Sequence, residues 1–124
     1  MKRHHELPFG AELVAGGVRF RLWAPGAGAV ALRVEGKGDL AMAAEGAGWF
    51  GLTTDAAGAG SRYRYVVAGQ AVPDPASRYQ PEDVHGPSEV VDPRAYDWRD
   101  AAWHGRRWDE IVLYELHADR KSVV

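Results

Sequence analysis

The chain has 124 residues, 46% of them hydrophobic and 26% charged, with 15 basic and 17 acidic side chains for a formal net charge of -2. That is enough for one domain with a real core, and it excludes wholesale disorder. The mixed charge leaves no basic patch for nucleic acid, no apolar run approaches the ~20 residues that span a bilayer, and the lack of cysteine excludes a disulfide framework, a thiolate metal site and a cysteine nucleophile.

Met1-Lys2-Arg3-His4-His5 is basic, but the apolar stretch of a secretory leader does not follow, so a cytoplasmic location is expected. In Val18–Trp23, apolar Val18, Phe20 and Leu22 alternate with Arg19 and Arg21, the period of a half-buried strand. Val30, Leu32 and Val34 repeat the pattern, and Leu40-Ala41-Met42 is a shorter candidate. The segments 49–53 and 63–67 are rich in the aromatic and β-branched residues that suit a pleated surface. Turn chemistry separates them at Pro25-Gly26-Ala27-Gly28, Gly36-Lys37-Gly38-Asp39 and Ala57-Gly58-Ala59-Gly60. Short strands at about 8–12-residue spacing predict an all-β antiparallel sandwich.

The character changes at Pro73. Pro75, Pro81, Pro87 and Pro93 punctuate the next stretch, yet Tyr79, Val84, Val90, Val91, Tyr96, Trp98, Trp103 and Trp108 make it too apolar for a solvated linker. An ordered strap packed on something large is expected. Ile111-Val112-Leu113-Tyr114-Glu115-Leu116 reads as a strand buried on both faces, the kind found in parallel sheets, and it has no partner within the sequence.

Phe20-Arg21-Leu22-Trp23-Ala24-Pro25, followed by Val30-Ala31-Leu32, resembles the sandwich that precedes the barrel in many family 13 glycoside hydrolases. The run Pro73–Pro81, then Val84-His85-Gly86-Pro87-Ser88, Val91-Asp92-Pro93, Trp98-Arg99-Asp100 and Trp103-His104-Gly105, is closer to the connector of the maltooligosyltrehalose trehalohydrolases. Leu7–Ala11 suits the same family, and Val112–His117 is similar to its first barrel strand. The resemblance implies an immunoglobulin-like (E-set, family 48 carbohydrate-binding-module-like) sandwich over 1–73. It further implies a connector strap over 74–110 and the start of a (β/α)8 catalytic barrel over 111–117, its remainder absent. Ala118–Val124 departs from the family and is expected to be a truncated or frameshifted end.

Enzymes of that family hydrolyse the α-1,4 bond beside the terminal trehalose of maltooligosyltrehalose, with carboxylates on later barrel strands. Retaining glycosidases need two carboxyls about 5–5.5 Å apart. The adjacent pairs Glu82-Asp83 and Asp109-Glu110 point to opposite faces of an extended chain and read as solvated loop acids. No catalytic residue is assigned within the chain, and no cofactor. The five histidines lack metal-ligand spacing. The Gly-rich stretches lack the Lys-Ser/Thr of a phosphate loop, and the serines lack a nucleophile elbow.

The expected role is an accessory domain packed on the parent enzyme's barrel, with Arg78, Tyr79, Gln80, His85, Trp98, Trp103 and Trp108 at the contact. Two alternatives remain open, an autonomous α-glucan-binding module and an immunoglobulin-like protein-interaction domain. Starch-binding relatives carry one tryptophan in an early loop and another just before an Asp-Pro. Here those places hold Glu35-Gly36-Lys37-Gly38-Asp39 and Ala71. Trp49 and His117 are the substrate-contact candidates. A strand tryptophan beside Phe50 is more often a packing residue, as are Trp23, Tyr63 and Tyr65. His117 would face the active-site end of a completed barrel.

Overall fold

The structure, a computed structural model, describes residues 8–116. Among the described residues, nine strands form two antiparallel sheets: β1 (Gly10–Val14), β2 (Gly17–Trp23), β3 (Val30–Val34), β4 (Gly38–Ala41), β5 (Ala43–Gly46), β6 (Trp49–Thr54), β7 (Arg62–Val67), β8 (Gln70–Val72) and β9 (Ser88–Glu89). The first sheet has the order β1-β2-β6-β5. The second runs β4-β3-β7-β8, with β9 also pairing β7. No α-helix occurs among the described residues; Trp108–Glu110 forms one 3-10 turn. The antiparallel sandwich expected from the alternating pattern is the fold observed.

The inward faces are those the alternation predicts. Val18, Phe20 and Leu22 of β2 meet Val30, Leu32 and Val34 of β3 across the layer, with Phe50, Tyr63 and Tyr65 filling the centre. Phe20 and Tyr63 pack edge to face at 4.8 Å, a geometry that favours the aromatic quadrupoles. Met42, expected at the end of a strand, lies just past β4 and turns into the core, its amide donating to Val30 O at 3.0 Å. The sequence pattern did not anticipate β1, β5, β8 or β9. β5 is exposed along its length and β9 has two residues, so neither carries an apolar alternation.

Turn chemistry sets the hairpins. Ala68 and Gly69 both take positive φ, 49° and 78°, as a two-residue hairpin in register with the sheet twist requires. At the β5–β6 corner Gly46, Ala47 and Gly48 all have positive φ, and a Cβ on Gly48 would stand 2.7 Å from Pro25 Cα.

Beyond Pro73 the structure divides what the sequence presents as one strap. Residues 74–91 are part of the sandwich: Asp74 and Ser88 are buried, Val90 is a core residue, and β9 extends the second sheet. Residues 92–116 are different. Tyr96, Trp98, Trp103 and Trp108 are exposed, and their backbone bonds are local turns. The segment 111–116, expected as a strand, takes no strand conformation and pairs with nothing among the described residues. A strand exists only through a neighbour's ladder, and the sandwich offers this segment none.

Candidate functional site

The outer face of the second sheet holds the two positions at which a glucan platform was sought. Ala41 on β4, Ala31 on β3, Val66 on β7 and Ala71 on β8 are paired in register and form one row across four strands. The row borders an open groove of about 820 Å³ lined also by Ala24, Pro25, Ala68 and Gly69. Beside it, the Arg33 guanidinium donates to both carboxylate oxygens of Asp39 at 2.6 and 2.8 Å. That hydrogen bond holds the Asp39 carboxyl below its ordinary range. No aromatic side chain stands in this row, so a sugar ring has nothing flat to stack on.

The outer face of the first sheet is built otherwise. The alternation that buries Val18, Phe20 and Leu22 turns Arg19, Arg21 and Trp23 outward, and β6 places Trp49 opposite Trp23 and Gly51 opposite Arg21. Trp49 is half-buried. Phe9 stacks on it at 6.4 Å and the Arg21 guanidinium lies 4.7 Å from its ring centroid. Arg21 also donates to Glu45 Oε2 at 2.8 Å and to Pro8 O at 2.6 Å. Gly51 makes room for this pair, since a Cβ there would sit 1.9 Å from Glu45 Oε1. Arg19 pairs with Glu12 one step further along. Trp49 is thus braced by its neighbours rather than presented to solvent.

Trp23 differs. Its side chain is 58% exposed, and its indole Nε1 donates to Ala47 O at 3.1 Å, which fixes the ring's orientation. It was expected to pack in the interior, and the structure corrects this. The signal was in the sequence, because the period of two that buries residue 22 must expose residue 23.

A third cluster is buried. Asp74 Oδ2 accepts from the Tyr63 hydroxyl at 2.6 Å and the Tyr65 hydroxyl at 3.3 Å, and its Oδ1 from the Ala76 amide at 2.7 Å. The Asp74 amide donates to Ser88 Oγ at 3.0 Å. Burial first, then the Asp74 carboxylate, push both tyrosines well above the usual phenol range, so they stay protonated donors. Every polar atom here has a partner and the cluster is closed to solvent, which suits a structural latch and not a reaction centre. Sequence reasoning passed over it.

The residues expected at a domain contact separate into two groups. Arg78 donates to Ala11 O, Gln80 Nε2 to Val84 O at 3.1 Å, and His85 O accepts from Arg64 at 2.8 Å. Tyr79 O accepts from the Glu89 amide at 2.9 Å while its ring stays half exposed. These four are spent at least partly on the sandwich itself. Trp98, Trp103 and Trp108 are exposed and take no part in the core: Trp98 meets Tyr96 edge to face at 4.8 Å, and Arg106 lies 5.7 Å over Trp103. Glu82 is engaged by Arg62 at 2.9 Å and Asp109 by Arg107 at 2.7 Å, so neither acidic pair forms facing carboxyls. His117 lies outside the described residues.

Residues 8–95 match the family described as Carbohydrate-binding module 48 (Isoamylase N-terminal domain). The chain belongs to the carbohydrate-binding module 48 family. Over 111 residues it is 44% identical to a malto-oligosyltrehalose trehalohydrolase from Deinococcus radiodurans, and over 112 residues 41% identical to one from Saccharolobus solfataricus. Each alignment covers 90% of this chain but only 17% and 20% of those proteins, so the chain spans about a fifth of the relatives it matches. Among solved structures, a candidate alpha amylase from Salmonella typhimurium superposes with a TM-score of 0.80 at 51% identity, covering 89% of this chain and 19% of that one. A maltotriose complex of PulA from Klebsiella pneumoniae gives 0.59 at 27% identity, covering 69% and 11%. The expected resemblance to trehalohydrolases, and to the module 48 sandwich, is therefore what the comparisons find.

Proposed function

We propose that this module 48 domain is an accessory domain of a trehalose-releasing glycoside hydrolase, packed on its catalytic barrel through residues 92–116 together with the exposed faces of Tyr79 and His85. The single observation that carries this reading is the row of large side chains, Trp98, Trp103, Trp108, Val112, Leu113 and Tyr114, each more than 60% exposed and none covered by the sandwich. So many large exposed apolar side chains in one short segment mark an interaction site rather than a solvated linker. The domain boundaries follow the same division: a sandwich to about residue 91, a connector to 110, and a first barrel strand from 111. The reading puts the protein in the cytoplasm, with maltooligosyltrehalose as the parent enzyme's substrate. No helix among the described residues is long and apolar enough to cross a membrane. The chemistry belongs to the barrel, because the domain's own acids are ion-paired, single on exposed loops or, for Asp74, buried and taken up by Tyr63, Tyr65 and the Ala76 amide.

A chimera tests this. Residues 8–116 replace the matching segment of the Deinococcus relative, and trehalose release from maltooligosyltrehalose is measured. The chimera should retain activity, and Trp98→Ala with Trp108→Ala should lower both its melting temperature and its rate. A chimera as active and as stable with both alanines as without them would sink the proposal. The 124-residue chain alone should release no trehalose.

A further inference from the structure

We propose that the free edge of β4 is a self-association surface, on which a second copy of this chain lays its own β4 antiparallel about a twofold axis through Leu40. The inference rests on the sandwich alone and not on packing against a barrel, so its test and the chimera test fail independently.

Backbone polar groups, not exposed rings, single out this edge. The last strand of a sheet presents unpaired N–H and C=O groups, which stable domains cover or interrupt. The other edges are treated in that way. Arg78 of the strap donates to Ala11 O on β1, and Tyr79 O takes the Glu89 amide on β9. β5 loses register between Ala44 and Gly46, and β8 has only three residues. β4 instead keeps unbroken register with β3 from Gly38 to Ala41, and the Met42 amide extends it by donating to Val30 O at 3.0 Å. On its other side it pairs with no strand among the described residues. Residues 38–42 hold neither lysine nor proline, two common guards of an edge.

The register says which groups are free. Antiparallel neighbours alternate between bonded and non-bonded pairs. With Met42 bonded to Val30, Leu40 is bonded to Leu32, and Asp39 and Ala41 direct their N–H and C=O away from β3. A twofold axis at Leu40 sets Asp39 opposite Ala41 of the second copy, and Ala41 opposite Asp39 of the second copy. Outward groups then meet outward groups, and four backbone hydrogen bonds form. The two Leu40 side chains, each half-buried against its own core, become a close non-bonded pair across the axis. Charge does not oppose the contact, because Arg33 holds both carboxylate oxygens of Asp39 and the residue facing each Asp39 is an alanine. The register that sets Asp39 opposite Asp39 would bring like charges face to face.

The test uses the whole chain, labelled with nitrogen-15. Four net backbone bonds, set against the freedom lost on association, give a dissociation constant on the order of a millimolar. The chain is therefore monomeric in dilute solution and partly dimeric at about 2 mM, read by sedimentation. Over that range the Asp39 and Ala41 amide protons should move downfield together, while those of Leu40 and Met42, already bonded to β3, stay nearly still. Ala41→Pro removes an outward N–H and no bond to β3, a change that edge strands tolerate, and should weaken association at least tenfold. Val112→Asp with Leu113→Asp, in the exposed apolar segment, should leave association unchanged. Undisturbed amide dispersion over 30–34 and 63–67 reports an intact fold in each variant, and the alternation of shifts along 39–42 needs no variant at all. The proposal is overturned by a chain that stays monomeric at about 2 mM, by shifts at Leu40 and Met42 equal to those at Asp39 and Ala41, by association that survives Ala41→Pro, or by association lost in the Val112 and Leu113 variant.

Discussion

Residues 74–91 carry three prolines and a single aromatic ring, and residues 92–116 one proline and five aromatic rings, yet it is the first that the sandwich holds. The difference lies in a few polar anchors. Asp74 enters the core with acceptors for two tyrosine hydroxyls and a backbone amide, Ser88 receives the Asp74 amide, and the Val90 amide and carbonyl pair with Ser61 and Gly60. Val90 then joins the same buried core as Tyr63. The second segment brings larger apolar side chains but only local bonds: Asp92 with Arg94, Arg107 with Asp109. Apolar content alone does not dock an irregular segment. Its backbone must also find partners, because unpaired polar groups cannot be buried with the side chains.

The largest expected effect breaks the anchor. Asp74→Ala strips the Tyr63 hydroxyl and the Ala76 amide of their acceptor, leaves the Tyr65 hydroxyl only its long bond to Arg21 O at 3.4 Å, and should cost about 3 kcal/mol, read as a lower urea midpoint. It should also release 74–91, so that the Glu89 and Val90 amides exchange quickly while 18–23 remains slow. A loss under about 1 kcal/mol would mean that apolar contact, not the latch, holds the segment. Val90→Ala comes next, at about 2 kcal/mol for two buried methyl groups and the cavity they leave.

Alkali probes the same latch with a definite sign. The Tyr63 and Tyr65 hydroxyls are raised above the unfolded phenol value, so folded protein keeps protons that unfolded protein loses. Their contribution is complete below about pH 10 and declines as pH rises through the folded values. Midpoints measured from pH 9 to 12 should fall, and the fall should be shallower in Tyr65→Phe, which removes one of the two groups. A midpoint flat across that range would contradict the buried arrangement.

The same contrast explains what could be read in advance. Alternation at 18–22 and 30–34 predicts both the strands and their buried faces, because a period of two is a direct statement about sides of a sheet. The short strands β5 and β9 carry no such pattern and exist through pairing with β6 and β7. The latch was invisible for a related reason: Asp74 before Pro75 is ordinary loop chemistry until the fold brings Tyr63 and Tyr65 to it. Trp23 was legible and misread, since aromatic content suggested packing where the alternation placed the ring outside. For Trp98, Trp103 and Trp108 sequence supplied the apolar character, and contact with a barrel remains the proposal drawn from their exposure.

The smallest expected effect sharpens the comparison most. Trp108 is 82% exposed and makes no contact with the core, so Trp108→Ala in the 124-residue chain should change unfolding free energy by no more than about 0.5 kcal/mol. The loss of a tryptophan would ordinarily be among the most damaging changes a domain can suffer, about 3–5 kcal/mol when the ring is buried. A near-zero value therefore separates a ring waiting for a partner from one already used. Hydrogen exchange should agree: amides of 111–116 exchange at close to unfolded-chain rates, while those of 18–23, 30–34 and 63–67 are protected up to the global stability. In the chimera the same Trp108→Ala change should become costly, because the barrel surface would then cover the ring. If the substitution is equally silent in both settings, residues 92–116 are not the docking segment, and the division at residue 91 reflects only where the latch ends. If it is costly in the short chain, the segment folds back on the sandwich and the contrast between the two regions disappears.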